Sequence, residues 1–165
     1  ALLADYVAHI ATTLELAGIE VRHTHHARSM IPQLQGAAGD PKRAVFAEGG
    51  YDTHEPHCFE GKPSDGVAAD PNAIYYPKAM QQQDRPETVC RAAMIRTATH
   101  KLVRRPDDVN ELYDLVADPD ECRNVYGQPA YGEVQQDLLE QMLDWYIHTA
   151  DSVPHHEDPR GLPPK

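Results

Sequence analysis

The sequence has little of three things: cysteine, positive charge and uninterrupted apolar residues. Its three cysteines are widely spaced and form no CxxC pair among 165 residues. We therefore expect no disulfide framework, while a single pair stays open. Lysine and arginine number 15 against 26 acidic residues, giving a net charge of -11. This charge argues against general nucleic-acid binding, which needs cations to neutralise phosphates. No apolar run approaches the roughly 20 residues that span a bilayer, so no membrane segment is expected.

The beginning of the chain lacks the marks of a natural start. Ala1 lies inside an apolar run, without an initiator methionine, a charged n-region or a cleavage pattern. We expect the natural start to lie upstream, so the sequence assigns no compartment. At 165 residues, the chain fits one ordinary core, or one small domain and part of another.

Helical periodicity occurs near both ends of the sequence. Apolar residues recur at spacings of three and four between residues 2 and 19, which predicts an amphipathic helix with Gly18 as its C-cap. Ser29 is the predicted N-cap of a short helical turn that reaches Leu34. Residues 154–165 are rich in proline and predict a flexible tail.

A longer helix is predicted between Tyr131 and Thr149. At about 100° per residue, its acidic side chains form one narrow stripe, consisting of Glu133, Asp137, Glu140 and Asp144. Its apolar side chains cover the opposite side, namely Val134, Leu138, Leu139, Met142, Leu143, Trp145 and Tyr146. The pattern is typical of a helix that buries one face and exposes the other.

Four short strands are predicted in the middle of the chain. The first covers Ala44–Ala47 and ends at two glycines. A hairpin follows, with strands near Arg91–Thr97 and His100–Arg104, and the run ELYDL forms the fourth strand. We expect them to pair antiparallel. Tyr51–Arg85 shows little periodicity and is predicted to be a long loop.

Several segments, in the same order, resemble the C-terminal portion of the sulfatase family, whose catalytic domain is alkaline-phosphatase-like. They are TTLELAGI, RSMIPQLQG, KRAVFAEGG and, most specifically, RAAMIRTATHKLVRRPDDVNELYDLVADPDECRN. The resemblance implies an α+β fold, in which a four-stranded antiparallel sheet packs against the long C-terminal helix. It also implies that residues 1–41 are terminal helices of the α/β catalytic domain, that 42–153 form the C-terminal subdomain and that 154–165 are the tail.

The resemblance also implies chemistry that this chain does not itself carry. Sulfatases use a formylglycine made from a Cys/Ser-x-Pro/Ala-x-Arg motif, beside a divalent cation. Cys58, Cys90 and Cys122 all lack that motif. We therefore expect the nucleophile and the calcium or similar cation to belong to an upstream domain of the full-length enzyme, with no cofactor in this chain. The substrate would be a sulfated small molecule or carbohydrate.

The run EGGYDTHEPHCFEG, residues 48–61, carries the candidate site. A zinc site at its histidines and cysteine lacks a partnered pair downstream, and an acid/base pair of His54 and Glu55 lacks a nucleophile or a cation to act with. The preferred hypothesis is a loop, hinged at Gly-Gly, that reaches the active-site cleft of the full enzyme. The substrate-contacting candidates are Tyr51, His54, Glu55, His57 and Arg91.

Other clusters and functions stay open. The HTHH run at residues 23–26 is either a metal site or a solvated connection, and the connection is preferred because no fourth ligand is specified. A basic group suits sulfate recognition or the polar face of a ribbon, and it comprises Arg91, Arg96, Lys101, Arg104 and Arg105. The alternatives to a sulfatase are a phosphonate or phosphate ester hydrolase of the same superfamily and a standalone binding or structural module.

Overall fold

The computed structural model describes residues 6–54 and 70–151. Four α-helices and four strands occur in this part of the chain. In chain order they are α1 (Tyr6–Leu16), α2 (Ile31–Leu34), β1 (Val45–Gly49), α3 (Tyr76–Asp84), β2 (Ala92–Arg96), β3 (His100–Arg104), β4 (Glu111–Asp114) and α4 (Gly132–Thr149). Short 3-10 helices at Pro86–Val89 and Pro129–Tyr131 precede β2 and α4. No helix among these residues is long and apolar enough to cross a bilayer.

The four strands form one antiparallel sheet, as predicted, and the structure gives their order as β1-β2-β3-β4. Phe46 pairs with Ile95, Ile95 with Leu102, and Leu102 with Leu112, so these side chains share one face. That face is the hydrophobic core, and α4 covers it. The core residues come from four separate strands and must all point to the same face. The core therefore forms only when all four strands are in register.

Helix α4 packs on the sheet with a narrower apolar stripe than the sequence suggested. Leu138 and Met142 are buried in the core, and the ring of Trp145 stacks on Phe46 at 4.8 Å. The acidic stripe is exposed, as predicted. The prediction was wrong for Leu143, which is 60% exposed. A sheet of strands four or five residues long is too small to cover the whole apolar half of a helix of 18 residues.

Helix α1 ends as the sequence predicted. Gly18 has φ +64°, its N–H donates to the carbonyl of Glu15, and the N–H of Ile19 donates to the carbonyl of Leu14. These two bonds define a Schellman motif, in which glycine adopts the left-handed conformation without a Cβ clash. The N-cap of α2 is Met30, so the prediction of Ser29 as the N-cap was wrong. The hydroxyl of Ser29 lies one residue earlier and accepts the N–H of Ile31 at 3.2 Å.

The prediction of a loop throughout Tyr51–Arg85 was wrong in its last part. Helix α3 forms there, followed directly by a 3-10 helix. Pro77 lies in the first turn, where proline costs no hydrogen bond. The run KAMQQQ that follows consists of good helix formers. Helix α3 buries Ala79 and Gln82, three residues apart, on one face. Residues 55–69 and the predicted tail lie outside the described residues.

Polar residues between Asn110 and Asn124 connect β4 to the turn that follows. The side-chain oxygen of Asn124 accepts the N–H of Leu112 at 3.0 Å, and its amide donates to the carbonyl of Asn110 at 2.9 Å. Asp114 accepts the N–H groups of Val116 and Ala117 at 3.0 Å. These bonds hold the turn against the sheet edge.

Glu121 joins this turn to the sheet face opposite α4. Its carboxylate pairs with Arg96 at 2.9 Å and with Lys101. It does so from a left-handed backbone conformation, with φ +56°. A side chain in this conformation costs about 1–2 kcal/mol relative to glycine. The two ion pairs therefore stabilise Glu121 in a backbone conformation that is otherwise unfavourable for a residue with a side chain.

We expect Glu121→Ala to lower the free energy of unfolding by about 1–3 kcal/mol, because it removes both charge-assisted bonds. Glu121→Gly removes the same bonds but relieves the backbone cost, so it should be about 1 kcal/mol less destabilising than alanine. Urea unfolding midpoints measure both effects. Glu133→Ala, an exposed change on α4, is the matched control and should be neutral. Equal midpoints for the alanine and glycine variants would contradict the strain.

Candidate functional site at the sheet edge

The segment that carries the candidate residues leaves the sheet at Gly50. This residue has φ +89°, and a Cβ there would overlap the carbonyl oxygen of Cys90 and lie 2.7 Å from its carbonyl carbon. Beyond it, the N–H of Tyr51 donates to the carbonyl of Val89 at 2.9 Å, and the N–H of Arg91 donates to the carbonyl of Tyr51 at 3.0 Å. Gly50 therefore packs tightly against the backbone of Cys90, and the Gly-Gly hinge stays a prediction.

Two pockets lie on opposite faces of the sheet at this edge. Ala47 pairs with Met94 and Glu48 with Ala93, so the two pairs point to opposite faces. The pocket beside Glu48 opens toward α4 and has a volume of about 640 Å³. The pocket beside Met94 opens toward α3 and has a volume of about 400 Å³. We name them the α4-side pocket and the α3-side pocket.

The α4-side pocket brings charges of both signs together. Arg91 and Arg104 line it with Glu48 and Tyr146. The hydroxyl of Tyr146 donates to a carboxylate oxygen of Glu48 at 3.1 Å. The pKa of Tyr146 is raised, mainly by burial and secondly by this hydrogen bond, so the phenol stays protonated at neutral pH. Arg104 donates to the side-chain oxygen of Asn110 at 2.7 Å. The pocket thus has a carboxylate held by a phenol, beside two guanidinium groups.

The α3-side pocket contains an unsatisfied polar group. Gln82 lines it, is only 3% exposed, and its side-chain oxygen has no hydrogen-bond partner. Leaving a buried amide oxygen unpaired costs about 1–3 kcal/mol. Tyr51, Thr88 and Cys90 also line this pocket. Burial is the largest effect on the Cys90 thiol and raises its pKa, so the group is neutral.

The structure distributes the predicted site residues over both faces. Tyr51 lines the α3-side pocket and Arg91 lines the α4-side pocket. The side chain of His54 is 85% exposed, and its ring lies 3.3 Å from Asp52. The N–H of His54 donates to Asp52 at 3.0 Å, which is the main reason that the pKa of Asp52 is lowered. Glu55 and His57 lie outside the described residues.

Most of the basic group has a structural role. Arg96 and Lys101 pair with Glu121, and Arg105 pairs with Glu111. These three side chains form the polar face of the β-ribbon, which was the alternative to sulfate recognition in the sequence analysis. Arg91 and Arg104 line the α4-side pocket, and Arg105 lines the α3-side pocket while it pairs with Glu111.

The described residues do not fit a metal site. No group of three His, Cys, Asp or Glu side chains among them could hold a metal ion. In the HTHH run, a ring nitrogen of His26 lies 3.2 Å from the carbonyl oxygen of Asp151. The calcium that the sequence analysis assigned to an upstream domain has no candidate ligand set in the described part of this chain.

Sequence reasoning did not identify several pocket residues, of which Gln82, Glu48 and Tyr146 carry the polar groups described above. Gln82 was missed because α3 was taken for a loop, and Glu48 and Tyr146 because they lie 98 positions apart. For Gln82 the available signal was the run KAMQQQ, whose residue types favour a helix. No local pattern could have paired Glu48 with Tyr146.

Comparison with protein families identifies the chain. Residues 65–147, about half of it, match the family described as N-sulphoglucosamine sulphohydrolase, C-terminal. The chain belongs to this family. The matched region of this sulfatase C-terminal domain contains α3, β2, β3 and β4 and nearly all of α4. The family prediction and the α+β fold prediction are both confirmed.

Curated relatives of this sulfatase C-terminal domain are much longer proteins. It is 26% identical over 149 residues to the N-acetylglucosamine-6-O-sulfatase of Bacteroides thetaiotaomicron, covering 89% of this chain and 22% of the relative. It is 29% identical over 114 residues to PehA, a multifunctional alkaline phosphatase superfamily protein of Trinickia caryophylli, covering 65% and 22% respectively. The chain spans about a fifth of the length of these relatives.

Solved structures share the fold of this domain. A phosphonate monoester hydrolase of Agrobacterium radiobacter superposes with a TM-score of 0.56 at 21% identity, covering 83% of this chain and 23% of that protein. A protein in complex with its substrate D-glucosamine-2-N,6-O-disulfate superposes with a TM-score of 0.52 at 23% identity, covering 82% and 22%. Identities this low establish the common fold.

We expect Gly50→Ala to be the more destabilising of two glycine substitutions at positive φ. Alanine at Gly50 meets the backbone of Cys90, so the cost of overpacking adds about 1–3 kcal/mol to a conformational cost of about 1–2 kcal/mol. Gly127, with φ +75° and open space around it, is the matched control and should show only the conformational cost. Urea unfolding of both variants gives the difference, and equal losses would mean that the segment is not clamped.

Proposed function

We propose that this domain is part of a longer sulfuric ester hydrolase and that its sheet edge contacts the substrate beyond the sulfate. The family match over residues 65–147 carries the proposal. The nucleophile, formylglycine by resemblance, and the calcium or similar cation would belong to residues outside this chain. Residues 1–41 would be the end of the catalytic domain and 42–153 the subdomain that selects the substrate. In support, the described side chains that form the hydrophobic core under α4 include none from α1 or α2.

Arg91 is the proposed anchor for an anionic or hydroxyl group of the substrate. It lines the α4-side pocket, where Glu48 is hydrogen-bonded to Tyr146. A guanidinium group offers paired donors that suit sulfate and carboxylate oxygens. Tyr51, His54, Glu55 and His57 are proposed to contact the same substrate from the neighbouring segment.

The proposed substrate class is a sulfated carbohydrate. One relative is named for action on N-acetylglucosamine 6-O-sulfate, and one structural neighbour was solved with a disulfated glucosamine as its substrate. Both names describe those proteins, and they support a sugar sulfate as the first substrate to test here.

A phosphonate or phosphate ester hydrolase is the second candidate. The PehA relative and the hydrolase of Agrobacterium radiobacter favour it, because members of one superfamily can act on different esters with the same fold. The intact protein that the gene encodes should be assayed with paired aryl sulfate and aryl phosphonate esters. We expect kcat/KM to be higher for the sulfate ester. A preference for the phosphonate ester would establish the second candidate and overturn the first.

Two variants of the intact protein test the proposed contacts. We expect Arg91→Ala to lower kcat/KM for a sulfated glucosamine roughly 10- to 100-fold, because a hydrogen bond to a charged group contributes about 1.5–3 kcal/mol. The double variant His54→Ala, His57→Ala should lower kcat/KM for the same sugar. A small aryl sulfate, which is too short to reach these side chains, should be hydrolysed at the wild-type rate by both variants.

Matched controls separate contacts from general effects of charge or folding. Arg123→Ala removes an exposed arginine of the β4–α4 connection, and His148→Ala removes an exposed histidine of α4. Neither should change the sugar-to-aryl ratio of kcat/KM. If the histidine and arginine variants of the sheet edge also leave that ratio unchanged, the segment is scaffold and the proposed contacts are wrong.

A further inference from the structure

We propose that the α3-side pocket is a second sugar-binding site, in which Gln82 accepts a hydrogen bond from a hydroxyl group of one monosaccharide unit. The choice of a sugar as the ligand rests on the proposed function, whereas the pocket and its unpaired acceptor do not. This site opens on the sheet face opposite Arg91, and Tyr51 is the one described residue that it shares with the contacts proposed above.

The unpaired oxygen of Gln82 is the first observation. Gln82 lies on the buried face of α3, and its side-chain oxygen meets no donor. Gln82 also lines the cavity, and the terminal torsion of a glutamine is broad, so its amide can rotate to present the oxygen there. A ligand hydroxyl in the pocket would supply the missing donor.

The size and walls of the pocket are the second observation. Its volume of about 400 Å³ is in the range of small-molecule sites. Tyr51, Met94 and Ala92 give one apolar wall, while Thr88 and Gln82 give polar groups. The Thr88 hydroxyl donates to the carbonyl of Arg85 at 2.8 Å, so its oxygen still has lone pairs to accept a bond. A pyranose ring likewise has an apolar face and a rim of hydroxyls.

The charges around the pocket favour a neutral ligand over a free anion. Arg105 lines the pocket, but Glu111 pairs with it. Asp107 and Asp108 lie close enough to act on the thiol of Cys90, which also lines the pocket. Lys78 adds an ammonium group with hydrogen-bond donors. With both signs of charge present, recognition is expected to depend on hydroxyl groups.

Isothermal titration calorimetry of the intact protein with N-acetylglucosamine tests the site. This probe carries no sulfate ester, so its binding is independent of turnover. We expect Gln82→Leu to weaken binding at least tenfold while it raises the temperature of unfolding, because leucine fills the same space without an unpaired oxygen. Thr88→Val, at an exposed position, should weaken binding several-fold without relying on a core substitution. Gln141→Leu, on the exposed side of α4, is the control and should bind as the wild type does.

Three results would overturn the site: no binding by the wild type, wild-type affinity in the Gln82→Leu and Thr88→Val variants, or displacement of the sugar by equimolar inorganic sulfate. The first two mean that the acceptor is not used, and the third that the pocket recognises an anion.

A glycosaminoglycan tetrasaccharide identifies the source of the ligand. Tighter binding than that of the monosaccharide indicates one unit of a chain, and equal binding indicates a free sugar. If the intact protein bound the sugar but hydrolysed no sulfate ester, only the proposed function would be rejected.

Discussion

The close approach of Gly50 to the backbone of Cys90 is the constraint on which the rest of the sheet edge depends. It allows Tyr51 to hydrogen-bond to both sides of Cys90, through Val89 and Arg91. β1 is therefore held against β2 at the end where the candidate residues begin. The same pairing brings Phe46 over Ile95 and into the core under α4. A residue without a side chain thus fixes the position of a strand that contributes to the core on one side and to both pockets at its end.

The run by which the family resemblance was recognised has a structural role in the described residues. Asn124 holds the backbone of β4, Asp114 caps the turn after it, and Glu121 binds the two cations of the β2–β3 hairpin. These residues satisfy polar groups that would be left unpaired where a short strand meets an irregular turn. This explains why so specific a pattern can occur in a domain whose three cysteines all lack the formylglycine motif.

The sequence predicted those parts of the fold that have a local pattern. The β2–β3 hairpin, β4 and α4 are short-range features with alternation, turn residues or a period near 3.6, and all were found within a few residues. Helix α3 was missed because a run of glutamines is polar and has no apolar stripe, although its intrinsic propensity is helical. The exposure of Leu143 and the contact of Tyr146 with Glu48 depend on how far the sheet extends beneath α4, and no window of sequence contains that information. The pockets could not be predicted for the same reason, since each combines residues from β1, β2 and a helix.

The two pockets share a wall, and this determines how they can influence each other. Gly49 and Gly50 border both of them. If this segment were a hinge, a ligand on one face could move the wall and change the affinity on the other. Gly50 lies against Cys90 and Tyr51 is hydrogen-bonded on both sides, so the wall could move only if these hydrogen bonds broke. Coupling between sites requires an element with two accessible states. We therefore expect the sheet edge to act as a fixed spacer between the two proposed contacts, whose free energies should add.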